Sequence, residues 1–343
     1  MDTRIVRIND KTEYSEELKA AAQIILSGGL VVFPTETVYG LGGNGLLSDA
    51  AQKIYSAKGR PSDNPLIIHI AEPNDADKYS HTGDIYYRLA DAFMPGPLTV
   101  IMPKRECIPH SVTGGLETVA VRCPSHPIAN ALIKECGVPI AAPSANISGR
   151  PSPTSAKYVI EDMDGRVDMI IDGGECEIGL ESTIVKIDGN TLTLLRPGAI
   201  TYDALCLVCD DVKIAPAVLE KLAENEKPLS PGMKYRHYAP RAEFVLLDGD
   251  ENDVLSFMIN EQKENCAVLC YNEELSYLNP SLTIAIGKKN DLEAQAKKLF
   301  TSLREADKLG AKKIYAHLPD TSGLGLALYN RMIRAAAHTI KKV

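Results

Sequence analysis

Short, β-branched apolar runs alternate with helix-period segments along most of this chain, and that alternation restricts it to α/β architectures. In the first two hundred residues the runs are RIVRI, GLVVFP, PLIIHI, PLTVIMP, TVAVRCP, PIAAPS and DMIID. STIVKI and TLTLLR follow, joined by Asp188-Gly189-Asn190, where Asp-Gly supplies the positive φ that a hairpin turn needs. Helical spacing fits YSEELKAAAQIILSGG, DAAQKIYSAKG, IYYRLADAFM and HPIANALIKECG. In the first of these, Leu18, Ala21, Ala22 and Ile25 mark one apolar face, and Gly28-Gly29 stops the helix. The expectation is one large twisted open sheet with flanking helices over residues 1–210.

A second series begins near residue 241. AEFVLL, CAVLCY, LTIAIG and KIYAHLP read as strands, mostly separated by helical segments, and LALYNRMIRAAAHTIKK reads as a long terminal helix. Regular β-α-β alternation predicts a smaller, separate parallel-sheet α/β domain over 241–343. Between them, residues 211–240 read as a linker. Its last part, EKPLSPGMKYRHYAPR, carries three prolines and a glycine, yet also Lys234, Tyr235, Arg236, His237 and Tyr238. A passive spacer would be richer in Ser, Gly or Glu. Two readings stay open: a strap packing its aromatics on a domain surface, or a lid carrying groups into a site.

The formal charge of −8 over 343 residues argues against a broad nucleic-acid surface, though not against a local basic cleft. No apolar run approaches the roughly 20 residues of a membrane helix. The N-terminus is acidic and polar, unlike a secretory signal. A cytoplasmic, non-membrane protein is expected. The eight cysteines are scattered. Cys206 and Cys209 form a CxxC with no second pair to complete a zinc site, while Cys266 and Cys270 lie in an apolar run and read as buried thiols.

In open α/β sheets, ligands gather beyond the carboxyl ends of strands. Thr35-Glu36-Thr37 follows GLVVFP, His69 nears the end of PLIIHI, and Arg122 follows TVAV. Ser144-Ala145-Asn146 follows PIAAP, Ser182 opens a strand, and Arg196 follows TLTLL. Lys58 and Arg60 flank a glycine in a turn stiffened by Pro61 and Pro65, just before another strand. Each alone has a plain structural explanation: a turn cap, a core histidine, a structural ion pair. Together they suit an anionic ligand, held by guanidinium forks and a lysine point charge and oriented by hydroxyls. No paired carboxylates, HExxH, nucleophile elbow or P-loop is present. Gly40-Leu-Gly42-Gly-Asn-Gly45 matches GxGxxG, but TETVY separates it from the preceding strand, so dinucleotide binding is weakly supported. Gly323 and Gly325 before the last helix raise the same idea as weakly.

PTETVYGLG, KGRPSDNPL, PGPLT, VAVRCP, PSANISG, ESTIV and LRPGAI occur in this order, and with them the chain resembles the YrdC-like threonylcarbamoyl-AMP synthases of the two-domain type. The hallmark pair is Lys58-Gly-Arg60 and Ser144-Ala-Asn146. The resemblance covers roughly residues 12–205, the linker and the C-terminal domain, and it implies a Rossmann-like fold for the latter. It implies the reaction of L-threonine, bicarbonate and ATP, with Mg2+, to threonylcarbamoyl-adenylate, pyrophosphate and water. That would be the first step in forming threonylcarbamoyl-adenosine beside the tRNA anticodon, with a downstream tRNA threonylcarbamoyl transferase complex as partner. By motif position the threonine site would use Thr37, His69, Arg122, Ser182 and a backbone contact near Ala142. The ATP site would use Lys58, Arg60, Asn64, Thr118, Ser144, Asn146, Ser152, Arg196 and Tyr238, with Tyr235 a weaker neighbour; Lys58 and Arg60 would be catalytic.

Besides a C-terminal domain with a ligand of its own, two rivals remain at this stage. One is an RNA-binding module, against which the acidic charge counts, though a weak tRNA contact stays open. The other is a carbamoyl transferase using a related domain inside a larger hydrogenase-maturation protein, whose zinc-finger-like and acylphosphatase portions are not legible here.

Overall fold

The apolar runs form the strands expected of them, because β-branched residues buried on both faces suit the interior of a sheet. The computed structural model describes residues 2–8, 16–220 and 238–343. Residues 221–237, and with them Lys234, Tyr235, Arg236 and His237, lie outside the described residues. The chain divides into two units. The first takes in residues up to Ser148, Pro153–Glu177 and the described residues from Glu181 to 220; the second takes Gly149–Ser152, Ile178–Leu180 and the described residues from Tyr238.

The first unit holds an 11-stranded mixed sheet. Its strands are β1 (Arg4–Arg7), β2 (Val31–Phe33), β3 (Gly40–Asn44), β4 (Ile67–His69), β5 (Leu98–Pro103) and β6 (Thr118–Arg122). β7 (Ile140–Ala141), β8 (Met169–Asp172), β9 (Thr183–Asp188), β10 (Thr191–Arg196) and β11 (Val212–Ile214) complete it. The order is β1-β8-β2-β3-β7-β4-β6-β5-β9-β10-β11. The helices are α1 (Glu16–Leu26), α2 (Ser48–Lys58), α3 (Asp84–Phe93), α4 (His110–Thr113), α5 (Pro127–Cys136), α6 (Ala156–Met163) and α7 (Tyr202–Cys206). The apolar face of α1 (Leu18, Ala21, Ala22, Ile25) packs with Ile128, Ala129, Leu132 and Ile133 of α5 over Val31, Phe33, Met169 and Ile171 of the sheet.

The glycine run after TETVY is strand β3, antiparallel to β2, with Val31 opposite Gly42 and Phe33 opposite Gly40. The glycines serve close packing. A Cβ on Gly42 would lie 2.6 Å from Phe33 Cε1 and 2.8 Å from Ile140 Cγ2. The Phe33 ring thus occupies the volume that side chains would fill, and the GxGxxG match reflects the inside of a sheet.

The second unit is a 5-stranded sheet of β12 (Glu243–Asp248), β13 (Ala267–Cys270), β14 (Thr283–Ala285), β15 (Lys313–His317) and β16 (Ile340–Lys342), ordered β14-β13-β15-β12-β16. Every pairing in it is parallel. Three helices accompany it: α8 (Glu251–Glu261), α9 (Leu292–Lys308) and α10 (Gly325–Ala335). The expected terminal helix is shorter than its periodicity implies. Ala337 and His338 take φ of 49° and 64°, with His338 N donating to Ile333 O and Ala337 N to Arg334 O. This double bond pattern ends a helix, and here it does so without the usual glycine. The chain then adds β16 beside β12. Among the described residues no helix is long and apolar enough to cross a membrane.

Gly42→Ala is expected to lower unfolding stability by about 1–3 kcal/mol through overpacking against Phe33. Gly83→Ala, where a Cβ meets nothing within 4 Å, is the control for added bulk and carries only the smaller cost of alanine at the cap of α3. Urea midpoints of the two variants check this.

Candidate active site

One row of side chains crosses the first sheet. In β4 and β6 His69 lies opposite Arg122; in β5 and β6 Thr99 lies opposite Arg122; and Thr99 faces Ile184 of β9, which faces Arg196 of β10. A register irregularity between Leu194 and Arg196 re-aims the arginine. Its Nε donates to Ser182 O at 3.0 Å and its Nη2 to Ser182 Oγ at 3.1 Å. Thr99 Oγ1 and Ser182 Oγ are 2.8 Å apart. Thr118 opens β6 on the same face as Arg122, four residues earlier and so ~13 Å away by strand rise. Ala142, just past β7, donates its N–H to Ile67 O at 2.8 Å.

Arg122 is held by the loop after β2. Its Nη2 donates to Glu36 Oε1 and to Thr37 Oγ1, each at 2.8 Å, and Thr35 Oγ1 lies at 3.5 Å. Thr35 gives its own proton to Val38 O at 2.6 Å, so the 2.9 Å contact between the two threonine hydroxyls is donated by Thr37. The Arg122–Glu36 pair is buried, each side chain 5% exposed. Among the described residues Glu36 Oε2 and Arg122 Nε find no hydrogen-bond partner. Such a pair resists the loss of either member more than it stabilises the fold.

Burial, and after it the Arg122 charge, lowers the pKa of His69 from 6.5 to about 3. The imidazole is therefore neutral at pH 7. The backbone carbonyls of Ile67, 3.2 Å from Nδ1, and of Ile140 both meet the ring and can only accept.

A second group lies at the end of α2. Gly59 caps the helix in the left-handed conformation (φ 60°), which points Lys58 and Arg60 along separate directions. Lys58 Nζ donates to Ser144 O, to Asn146 O at 2.6 Å and to Asn146 Oδ1 at 3.2 Å. Ser144 Oγ donates to Asn146 Oδ1 at 2.6 Å. Arg60 Nη2 donates to Asn64 O at 2.9 Å and Pro65 O at 3.0 Å. The Asn64 and Pro65 carbonyls thus pin the arginine. Asn64 is fully buried, and among the described residues both ends of its amide lack a hydrogen-bond partner. Lys58 and Arg60 consequently anchor two loops as well as supplying charge.

Ser152 and Tyr238 belong to the second unit. Ser152 is buried there. Tyr238 takes φ 62°, stacks on Phe300 at 5.1 Å and lies 5.7 Å under the Arg331 guanidinium. Sequence reasoning passed over Thr99, which sits inside the apolar-looking run PLTVIMP; Glu36 was seen beside the strand but given no role. The signal for Thr99 was a hydroxyl at the strand end that neighbours Arg122. All eight cysteines are free, and burial pushes Cys123, Cys136, Cys176 and Cys270 up to about 12. Among the described residues no group of three or more His, Cys, Asp or Glu could hold a metal ion.

A buried row of donors and a group of fixed cations in one mixed α/β unit suit the binding of small anionic molecules. A family profile described as telomere recombination matches residues 23–198, and one described as threonylcarbamoyl-AMP synthase, C-terminal domain, matches residues 200–337. The threonylcarbamoyl-AMP synthase of Pyrococcus abyssi is 43% identical over 99% of this chain and 100% of its own. That of Bacillus subtilis is 43% identical over 93% of each. The crystal structure of P. abyssi Sua5 complexed with L-threonine superposes with a TM-score of 0.91 at 41% identity, covering 99% of this chain and 100% of that one. The chain belongs to the threonylcarbamoyl-AMP synthase family.

Two outcomes follow from the buried charges. Glu36→Ala leaves Arg122 buried and unpaired and is expected to cost about 3–5 kcal/mol in urea unfolding, with Glu36→Gln costing less. His69 binds its proton far more weakly folded than unfolded, so stability should fall as pH drops from 6.5 towards about 3. The limiting slope is about 1.4 kcal/mol per pH unit. His69→Asn should flatten the urea-midpoint profile in that window.

Proposed function

We propose that this protein makes L-threonylcarbamoyl-adenylate from L-threonine, bicarbonate and ATP, releasing pyrophosphate and water, as the first step of tRNA threonylcarbamoyl-adenosine formation. The observation that carries this reading is the Lys58 ammonium bound to Ser144 and Asn146, which joins the two halves of the hallmark motif across 86 and 88 residues of sequence. The near-full-length relatives named for this activity support it.

The chemistry fits the residues. The threonine amine adds to bicarbonate with loss of water to give a carbamate. A carbamate oxygen then attacks the α-phosphorus, and pyrophosphate leaves. No enzyme nucleophile is required, which suits a site of positioning groups and fixed charges. Arg122, pinned at one nitrogen by Glu36 and Thr37, clamps the threonine carboxylate. Neutral His69 orients the amino acid without adding charge. Lys58 and Arg60, locked onto loop carbonyls, set a positive potential where the triphosphate lies. Asn64, with its buried amide unpartnered, is a polar group for the nucleotide. Magnesium accompanies ATP and neutralises its phosphates; such ions are bound largely by phosphate and water. The working place is the cytoplasm, and the product passes to a tRNA threonylcarbamoyl transferase complex.

Pyrophosphate release by the pure protein should require L-threonine and bicarbonate together. Lys58→Ala and Arg60→Ala should each lower it at least about a hundredfold, in line with the loss of a transition-state charge contact. Lys58→Ala should also lower the melting temperature, because its loop carbonyls lose their donor. Release without threonine, or wild-type turnover by Arg60→Ala, would overturn the assignment.

A further inference from the structure

The hydroxyl protons at the centre of the row can be counted. Thr99 and Ser182 are both completely buried, with their oxygens 2.8 Å apart. Arg196 Nη2, which can only donate, fills one lone pair of Ser182 Oγ. Among the described residues neither hydroxyl has a further partner, so two protons share one hydrogen bond. If Ser182 donates to Thr99, the Thr99 proton is left over and Ser182 has none to offer. If Thr99 donates to Ser182, both Ser182 lone pairs are filled, by Thr99 and by Arg196, and its O–H is the donor left over.

The second arrangement suits the substrate. An amino-acid carboxylate only accepts hydrogen bonds, so Ser182 can serve it only as a donor. We infer that Thr99 is a positioning residue: it donates to Ser182, fills that oxygen's lone pair and so commits the Ser182 proton to an acceptor oxygen of the amino-acid substrate. This rests on the reading that the site takes L-threonine. The same serine oxygen receives Arg196, so one atom ties the amino-acid side of the site to the arginine assigned to the nucleotide. Thr99 also lies opposite Arg122 in register, so β5 stands between the strand that carries the carboxylate clamp and Ser182, which precedes β9.

Thr99→Val keeps the shape and removes the hydroxyl. Ser182 keeps its proton but loses the partner that aims it, and the dissociation constant and KM for L-threonine should rise about three- to fivefold, the cost of fixing a hydroxyl that otherwise turns among three staggered positions. kcat and the KM for ATP should stay within about twofold, since no group that meets the nucleotide is lost. Thr99→Ser should restore threonine affinity to within about twofold, because it returns the donor. If the valine variant does not fold, Thr99→Ala carries the same expectation. Binding is measured by calorimetry on the full chain with L-threonine alone, and turnover by pyrophosphate release. Unchanged threonine affinity in the valine variant, an equal rise in the KM for ATP, or failure of serine to rescue would overturn the inference. A wild-type protein that binds no L-threonine would instead sink the functional reading beneath it.

Discussion

The buried guanidinium of Arg122 is the constraint around which the first unit is arranged. An unpaired charge there would be prohibitively costly, so the chain must bring it an anion and hydroxyls from elsewhere. It does so with Glu36 and Thr37, 86 and 85 residues earlier. Once that loop is docked, β2 is fixed at its carboxyl end, and Phe33 is held against the side-chain-free strand β3. Its neighbours follow suit: His69, opposite in register, is held neutral by burial and, after that, by this charge, and the hydroxyl of Thr37 is used up within the loop. What the site offers a ligand is therefore decided by which polar atoms the protein does not spend on itself.

That distinction separates the two halves of the site. Around Arg122 and Ser182 the protein leaves specific donors and acceptors unmatched. Around Lys58 and Arg60 it meets the ammonium and a guanidinium nitrogen with loop carbonyls and contributes fixed charge, the Asn64 amide being the unmatched exception among the described residues. Geometry-demanding recognition of a small amino acid suits the first arrangement, and long-range neutralisation of phosphates suits the second. The two meet at Ser182, whose carbonyl and hydroxyl both receive Arg196.

Most of the architecture was legible in the sequence, because fully buried β-branched runs and amphipathic helices have different periods. The hairpin through Gly189 and the parallel second sheet followed from local signals. β3 did not, since five residues with three glycines lack the side chains on which strand recognition relies, and the reason lies in a ring on the neighbouring strand. The end of α10 was equally hidden, because Ala337 and His338 adopt a conformation that composition does not announce. In the site, charged and motif-bound residues stood out, while Thr99 was masked by the apolar run around it. Glu36 was visible, but its partner was set by tertiary contact alone.

The sheet's strand order has a consequence for how the protein comes into being. β1 is paired with β8, and β2 lies between β8 and β3, so the first strands made wait for a partner synthesised more than a hundred residues later. Loop-closure entropy must be met before those pairings return any stabilisation, which makes such a topology slow to assemble. During translation the nascent chain exposes the edge of β2, an apolar template for wrong partners, until Met169–Asp172 has emerged. The row of donors, stitched from segments equally distant, cannot be completed until Arg196 has been made.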